Sequence, residues 1–323
     1  MAEAQKKSLI ARGLLKLAIR AKLAQLERGD FSQDTVWDRL IFNKARSRFG
    51  GQVKRVISGS ASLSPEVAKF SRAIFSCFFI EGYGQTECIV GTSQTVNDHR
   101  LGETGVPTPV NHIKLVDVPE KNYFARDNVG EICIQSKAVF KGYLHDEVKT
   151  HEAISKDGWL HTGDIGRWTE HRTLQIIDRK KNIYKLSQGE YIAPEKIENI
   201  YSRSRFISQV YVYGDSLQNA LVAIVVLDDD MVKAWMTENS INEGSNAIHA
   251  NNSKLWQTVF NDMIELGKKR GLMSYEQIKN MAFITEPFTI ENGLLTPTFK
   301  ARRHAVEKKY KNVLQDLYKV LQK

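Results

Sequence analysis

Apolar positions along the chain change their spacing several times, and each change marks a different kind of element. From Leu9 to Leu26 the apolar residues recur at steps of three and four, which predicts an amphipathic helix. A second, basic helix is predicted over Trp37–Phe49, because the same spacing continues until Gly50 and Gly51 interrupt it. The chain therefore opens with two predicted helices.

The spacing then changes to that of an α/β segment. Val53–Ser58 predicts a short strand, and Phe78–Glu81 predicts a second strand that runs into Gly82. Between them, Ser64 and Pro65 have the residue types of a helix cap and a first helical position. Ligands bind at the carboxyl ends of such strands, so this segment is the first place to look for a site.

Beyond Gly105 the helical spacing disappears. Short β-rich runs separated by Pro, Gly and Asn turns predict a small antiparallel sheet or barrel. These runs are His112–Val116, Val129–Gln135 and Thr173–Asp178. After Asp178 helices and strands mix again, which places a domain boundary there and predicts two domains, residues 1–177 and 178–323.

The second domain is predicted to be α+β. A helix over Ile192–Tyr201 precedes strands at Val210–Tyr213 and Leu221–Leu227. Two helices follow, then a strand near Ala282–Ile284 and a final basic helix from Lys300. The fold class is therefore mixed α/β, with an α/β segment and a small β-sheet or barrel first and an α+β domain last.

Composition and charge limit the functional classes. The chain has 323 residues and a net charge of +9, and the excess of Lys and Arg lies at its two ends. A basic end is typical of nucleic-acid or membrane-surface binding, but helical spacing without interleaved aromatic residues favours a solvated helix face. The longest apolar runs, such as Ala220–Leu227, are far shorter than the roughly 20 residues that span a bilayer.

Cysteine usage points to a reducing, intracellular compartment. The three cysteines, Cys77, Cys88 and Cys133, are isolated from one another in the sequence. Their spacing matches neither a disulfide framework nor a zinc site.

Two polar clusters in the first domain are candidates for chemistry. In Glu81–Glu87, two glycines allow close backbone approach, Tyr83 offers a flat face and Glu87 offers a carboxylate for a hard cation. In Gly158–Asp164, an Asp after a Gly at a strand end has the chemistry of a ribose acceptor. Taken alone, each cluster is equally well explained as a turn. His161 is interpreted as a structural histidine, because no cluster of possible partner residues surrounds it in the sequence.

Two further clusters lie in the second domain. Ile177–Lys181 and Lys185–Tyr191 bring four cations close to Gly189, which is typical either of a solvated face or of a loop that meets phosphate. In Gly293–Lys300, a Lys follows a Pro-containing turn, a position that an ordinary helix-end cation also occupies.

In this order and at these separations, the four clusters resemble the adenylate-forming (AMP-binding) superfamily. The run DGWLHTGDIG, with IIDRKK and QGEYIAPEKIE after it, is similar to the signature of long-chain fatty acyl-CoA synthetases. The resemblance extends from about Trp37 to Lys323 and implies that the chain is a C-terminal portion of such a ligase, with part of the large domain followed by a small mobile domain. The family's phosphate-cradling loop is missing from the sequence, so we expect the chain alone to be inactive.

The resemblance implies ATP-dependent formation of an acyl-adenylate from a fatty acid, followed by thioester formation with CoA. The catalytic residues implied are Lys300, Thr86 and Glu87, with Glu87 also as the Mg²⁺ ligand. The nucleotide-site residues implied are Ser58, Gly59, Ser60, Ala61, Tyr83, Gly84, Thr86, Asp164 and Arg179. After domain rotation, the loop at Gly189 would line the path for CoA.

Partners and location follow from the same resemblance. The expected ligands are a long-chain fatty acid, ATP with Mg²⁺, and CoA, with no nucleic acid and with peripheral membrane association as an option. Full-length relatives would lie on the cytosolic face of the endoplasmic reticulum or on the outer mitochondrial membrane, and this chain alone in the cytosol. The alternative is a noncatalytic short form that binds nucleotide or a protein partner, and a nucleic-acid module would rest on charge alone.

Overall fold

The computed structural model describes residues 9–60, 63, 65–95, 98, 100–240 and 253–321. The chain divides into two compact units, Met1–Ile177 and Asp178–Lys323. Assignment of these units to a large and a small adenylate-forming domain stays a prediction.

The first unit opens with the two predicted helical segments. Helix α1 is Leu9–Glu27, and a π-helical turn, Asp38–Phe42, continues into α2, Asn43–Ser47. Ala18 and Phe42 are fully buried here, together with Ala73 from α3, Pro65–Phe75. The expected cap residue of α3, Ser64, lies outside the described residues.

A buried ion cluster joins these helices. Lys22 Nζ donates to Asp38 Oδ2 at 2.5 Å, and Arg46 Nη2 donates to Asp38 Oδ1. Lys22 is 1% exposed and Asp38 is 0% exposed. Hydrogen bonds from Lys22, Thr35 and Arg46 outweigh the effect of burial and lower the pKa of Asp38. The expectation of a solvated basic face is therefore wrong at Lys22 and Arg46, because both cations are buried and pair with the Asp38 carboxylate.

Two parallel strands form the α/β segment. Strand β1, Arg55–Ser58, pairs with β2, Phe78–Tyr83, in a register that places Ser58 beside Glu81. Short strands β3, Thr92–Ser93, and β4, Val106–Pro107, complete the order β1-β2-β3-β4. The carboxyl ends of β1 and β2 thus lie at one edge, as the sequence pattern predicted.

A second sheet has the order β5-β6-β7-β8, and the boundary between the units falls within its last strand. Its strands are β5, Asn111–Val116; β6, Val129–Ser136; β7, Leu160–Trp168; and β8, Leu174–Arg179. Ile132, Ile134, Leu160 and Leu174 are at most 1% exposed and form its core. This sheet, in which β5, β6 and β7 pair antiparallel, lies where the sequence predicted a small antiparallel sheet or barrel.

The sequence pattern missed one element here. Helix α4, Glu147–Ala153, lies between β6 and β7, where no helical signal was recognised. Asp146 caps α4, because its side chain accepts the N–H of Lys149. Only seven residues long and with no buried residues, α4 gives almost no apolar periodicity.

The second unit is built on the sheet β11-β12-β13. Its strands are β11, Ile207–Gly214; β12, Leu221–Leu227; and β13, Ile278–Ile284, with a separate hairpin of β9, Tyr184–Lys185, and β10, Tyr191–Ile192. Strand β12 is antiparallel to β11 and parallel to β13. Ala223 and Val225 join one buried cluster, and Val222 and Ile224 join another, so both faces of the sheet are covered.

Five helices in the described part of the second unit pack on these two faces. They are α5, Pro194–Tyr201; α6, Asp229–Glu238; α7, Ser253–Lys269; α8, Arg303–Lys309; and α9, Lys311–Leu321. Helices α5, α6 and α7 supply apolar side chains to the first cluster, and α8 and α9 supply the second. Over the residues described, none of the helices is both long enough and apolar enough to cross a membrane.

Candidate functional site

The carboxyl ends of β1 and β2 come close together at Gly59 and Gly82. A Cβ on Gly59 would lie 3.3 Å from the carbonyl oxygen of Gly82, so glycine permits this approach. Ser58 is the last residue of β1, and Ser60 has a left-handed φ of 66°. Ala61 lies outside the described residues. Ser58 and Gly59 therefore lie beside the end of β2, and Ser60 directly follows them.

The segment after β2 turns sharply at Gly84. A Cβ on Gly84 would lie 1.9 Å from the carbonyl oxygen of Ile89, so no other residue fits without a backbone shift. The Ile89 N–H donates to the Gln85 carbonyl at 2.7 Å and closes the turn. Ile89 has a φ of 60°, which is rare for a β-branched residue and marks local backbone strain.

Asp164 connects this turn to the second sheet. The Tyr83 hydroxyl donates to Asp164 Oδ2 at 2.8 Å, and Gln85 Nε2 donates to the same oxygen at 2.5 Å. Asp164 is 6% exposed and Tyr83 is 9% exposed. Burial, with the negative charge of Asp164, raises the pKa of Tyr83 well above its usual value, so its hydroxyl stays protonated as a donor.

The position of Asp164 differs from the strand end that the sequence analysis expected. Asp164 lies inside β7, four residues before its last residue, Trp168. The pairing of β6 with β7 is irregular at this point, between Glu131 and Cys133. A bulge inside a continuous strand, rather than a strand end, therefore turns Asp164 towards Tyr83.

Glu87 has a partner that the sequence analysis did not identify. The Tyr143 hydroxyl donates to Glu87 Oε1 at 2.7 Å, and the Phe140 N–H donates to the Glu87 carbonyl at 2.8 Å. The hydrogen bond to Glu87, with some burial, raises the pKa of Tyr143 to about 12. Thr86 is exposed and Glu87 is half-buried, so both are accessible.

A metal centre built from protein side chains alone is not seen in the described ranges. They contain no group of three or more His, Cys, Asp or Glu residues that could hold a metal ion. Glu87 is a single carboxylate, and Mg²⁺ is commonly bound by one or two carboxylates together with substrate phosphates. The donor set therefore fits Mg²⁺ only as a partner of a phosphate ligand.

The remaining predicted residues belong to the second unit. Arg179 ends β8, and its N–H donates to Asp178 Oδ1 at 2.6 Å. Asp178 Oδ2 accepts the N–H of Glu195 at 2.9 Å. Asp178 is 2% exposed, and burial beside the Glu195 carboxylate raises its pKa to about 7.

Gly189 lies in the β9–β10 hairpin loop. Its φ of 100° is strained for other residues, and its N–H donates to the Leu186 carbonyl at 2.9 Å. Lys185 Nζ lies 5.3 Å from the centroid of the Tyr191 ring, so this cation has an aromatic neighbour.

Lys300 ends a tight turn. The Thr296 N–H donates to the Lys300 carbonyl at 2.8 Å, and the Lys300 N–H donates to Thr296 Oγ1 at 3.1 Å. Phe299, the residue before Lys300, has a φ of 60° and is 74% exposed. Leu294 anchors the turn in a buried cluster. For the residues described, no hydrogen bond or ion pair holds the Lys300 ammonium group, which leaves it available to an anionic ligand.

Gln85 and Tyr143 are two polar residues whose roles the sequence did not reveal. Gln85 lies inside the Glu81–Glu87 cluster, so its position alone could have marked its amide as a hydrogen-bond donor of the site. Tyr143 is 56 residues from Glu87 and gives no local signal, because only the tertiary fold brings it there.

Comparisons with known proteins define the class. Residues 26–144 match the AMP-binding enzyme family. The adenylation domain of a carboxylic acid reductase from Segniliparus rugosus, solved with AMP and a co-purified carboxylic acid, superposes with a TM-score of 0.73 at 29% identity. That match covers 95% of this chain and 46% of that domain's chain. The adenylation domain of the Mycobacterium chelonae reductase gives the same TM-score at 30% identity, over 94% of this chain and 45% of that one. The chain is thus a relative of the adenylate-forming, AMP-binding enzymes.

Within that class, the sequence matches the long-chain-fatty-acid–CoA ligases, as the motifs predicted. It is 48% identical over 312 residues to long-chain-fatty-acid–CoA ligase 6 of Homo sapiens, covering 96% of this chain and 45% of that protein. It is also 48% identical over 319 residues to ligase 1 of Cavia porcellus, covering 98% of this chain and 46% of that protein. The predicted resemblance is confirmed. The chain spans about half the length of the curated relatives it matches.

Proposed function

We propose that this chain supplies the nucleotide-binding and lysine-bearing part of a long-chain fatty acid–CoA ligase. The observation that carries the proposal is the Tyr83–Asp164–Gln85 network beside the ends of two parallel strands. It places a buried carboxylate, an aromatic ring and a glycine turn at one edge, which suits the ribose and base of a nucleotide.

The proposed reaction has two steps on one acyl group. A fatty carboxylate oxygen attacks the α-phosphorus of ATP, which forms acyl-AMP and releases pyrophosphate. The sulfur of CoA then attacks the acyl carbonyl carbon, so the thioester forms and AMP leaves with the C–O bonding electrons. Both steps bring anions together and depend on positioned donors and cations.

The first-unit residues are assigned to the nucleotide in this proposal. Asp164 accepts the ribose hydroxyls, and we expect them to displace the Gln85 amide from Oδ2, since both are hydrogen-bond donors to the same oxygen. Tyr83 lies against the base, and Thr86 contacts the α-phosphate from its exposed position. Glu87, oriented by Tyr143, would bind Mg²⁺ that is also held by the phosphates and that neutralises their charge.

The second-unit residues are assigned to the reacting groups. Lys300 has no side-chain ion pair among the described residues and stands on an anchored turn, which suits a cation that balances charge as carboxylate and α-phosphate approach. Arg179 assists at the ribose, and the Gly189 loop lines the path of CoA after domain rotation.

Adenine-nucleotide binding is the first test. Isothermal titration of the 323-residue chain with AMP, and with a non-hydrolysable acyl-adenylate analogue, should give saturable binding. GMP is the matched control ligand and should bind more weakly. Equal affinity for AMP and GMP, or no binding of either nucleotide by the folded chain, would overturn the nucleotide-site assignment.

Catalysis is tested separately in a chimera, because the chain matches only 45% of the human relative. This chain replaces the matched segment of that relative, and palmitoyl-CoA formation from palmitate, ATP and CoA is measured. We expect activity in the chimera and none in the isolated chain. A folded chimera that binds AMP but forms no palmitoyl-CoA would favour the noncatalytic alternative.

The location proposed for the full-length ligase is the cytosolic face of the endoplasmic reticulum or the outer mitochondrial membrane, and the location proposed for this chain alone is the cytosol. Fractionation of cells that express the tagged chain tests the second proposal, with recovery in the cytosolic fraction expected. Recovery in a secreted fraction would contradict it.

A further inference from the structure

The strand that carries Asp164 contains a bulge opposite β6. Glu131 pairs with Ile165, and Cys133 pairs with His161. The two β6 residues are two positions apart, whereas their partners on β7 are four positions apart. The extra length on β7 is taken up by Thr162, Gly163 and Asp164. Bulges next to functional sites often redirect a side chain, and here the redirected side chain is that of Asp164.

Two side chains hold the bulge in place. Thr162 Oγ1 donates to the Ile132 carbonyl at 2.7 Å and accepts the Asp164 N–H at 3.2 Å. Glu131 Oε1 accepts the Gly163 N–H at 3.2 Å. Gly163 has a φ of 68°, the left-handed conformation that glycine adopts without strain.

Glu131 is unusual because it is a buried carboxylate directed at backbone. It is 7% exposed, and a buried charge is costly unless hydrogen bonds compensate it. Its second oxygen, Oε2, lies 3.5 Å from Nδ1 of His161, which also lies 3.4 Å from Cys133 Sγ. His161 therefore has partners on β6, contrary to the expectation that no cluster surrounds it.

We propose that Glu131 is a positioning residue for the nucleotide site, which holds the Gly163 amide so that Asp164 faces Tyr83 and Gln85. The proposal rests on the assignment of Asp164 to the nucleotide. Glu131 itself touches no ligand; it acts through the bulge. A carboxylate suits this role because a hydrogen bond to a charged acceptor is roughly twice as strong as one to a neutral acceptor.

The binding test compares three variants by AMP titration. Glu131→Ala removes the acceptor and should weaken AMP binding about 10-fold, the equivalent of one charge-assisted hydrogen bond. Glu131→Gln keeps a neutral acceptor and should recover most of the affinity. Glu170→Gln, at a residue whose side chain is 85% exposed, is the matched control and should leave affinity unchanged.

A double-mutant cycle separates positioning from general destabilisation. In the Asp164→Asn background, Glu131→Ala should have little further effect on AMP affinity, because its influence passes through Asp164. Additive losses would show that Glu131 acts through overall folding and would overturn the proposal.

An amide resonance gives a readout that needs no nucleotide. With ¹³C-carbonyl Thr and ¹⁵N-Gly labelling, only the pairs Thr104–Gly105 and Thr162–Gly163 give Thr–Gly correlations. Glu131→Gln should shift the Gly163 amide proton and leave the Gly105 proton in place. An unmoved Gly163 resonance overturns the proposal even where AMP binding is normal. Failure of the unmodified chain to bind AMP, with the Gly163 shift observed, instead overturns the nucleotide assignment on which the proposal rests.

Discussion

Replacement of Asp164 by Asn tests the proposed nucleotide site with little change of shape. In the structure, Oδ2 of Asp164 accepts from Tyr83 at 2.8 Å and from Gln85 at 2.5 Å. The Asn side-chain oxygen can still accept these hydrogen bonds, so we expect the fold to survive with a loss of at most about 1 kcal/mol. What the variant loses is the negative charge that a ribose diol would meet.

The magnitude follows from the number of hydrogen bonds. A hydrogen bond to a charged group contributes about 1.5–3 kcal/mol, and one between neutral groups about 0.5–1.5 kcal/mol. Two ribose hydroxyls that exchange a charged for a neutral acceptor therefore lose about 2–3 kcal/mol together. This corresponds to AMP affinity about 30- to 150-fold weaker, since each 1.4 kcal/mol is a factor of about ten.

Titration calorimetry with AMP and 2′-deoxy-AMP measures this loss and identifies its source. The unmodified chain should prefer AMP, and the preference should disappear in Asp164→Asn. Asp157→Asn is the matched control, because Asp157 is exposed in the segment that leads into β7. Unchanged AMP affinity in a folded Asp164→Asn variant would refute the assignment, and a persistent preference for AMP would place the ribose elsewhere.

Three further predictions concern other residues. In the active chimera, Lys300→Ala should slow acyl-AMP formation about 10²- to 10³-fold and should spare thioester formation from supplied acyl-AMP. Lys308→Ala is the control. Equal loss of rate in both steps would mean that Lys300→Ala causes a folding defect. Gly84→Ala should destabilise the chain by about 1–3 kcal/mol in urea unfolding, because its Cβ would overlap the Ile89 carbonyl, whereas Gly13→Ala in α1 should not destabilise it. Burial beside Glu195 raises the pKa of Asp178 to about 7, so stability should fall relative to Asp178→Asn as pH rises from about 4 to 7. Parallel pH profiles of the two proteins in urea unfolding would contradict this.

Elements with strong periodicity could be predicted from sequence. Strand β12 was predicted with its observed ends, Leu221–Leu227, because a continuous apolar run matches a strand buried on both faces. The first helix was predicted as Leu9–Leu26 and is observed as Leu9–Glu27. Its apolar residues recur at steps of three and four, which is a strong helical signal. Helix α4 was missed, since none of its residues is buried and exposed helices have no apolar stripe.

The candidate site was predicted only in part. Tyr83 and Asp164 were named from their motifs, and the structure joins them although they are 81 residues apart. The partners Tyr143 and Glu131 could not be named in this way, because each contact crosses between elements that are distant in sequence. The position of Asp164 was also misjudged, since a bulge leaves little trace in an alternating pattern beyond a glycine.

The buried cluster of Lys22, Asp38 and Arg46 has a consequence for how this region can evolve. Loss of Asp38 alone would leave two cations in the interior, and breaking a buried pair typically costs about 3–5 kcal/mol, a large share of the stability of a domain. Replacement of all three residues by apolar ones of similar volume would cost little, because such exchanges are often neutral. Intermediate sequences that leave an unpaired buried charge are therefore less stable than either end point, so Asp38 should be replaced only together with both of its cations.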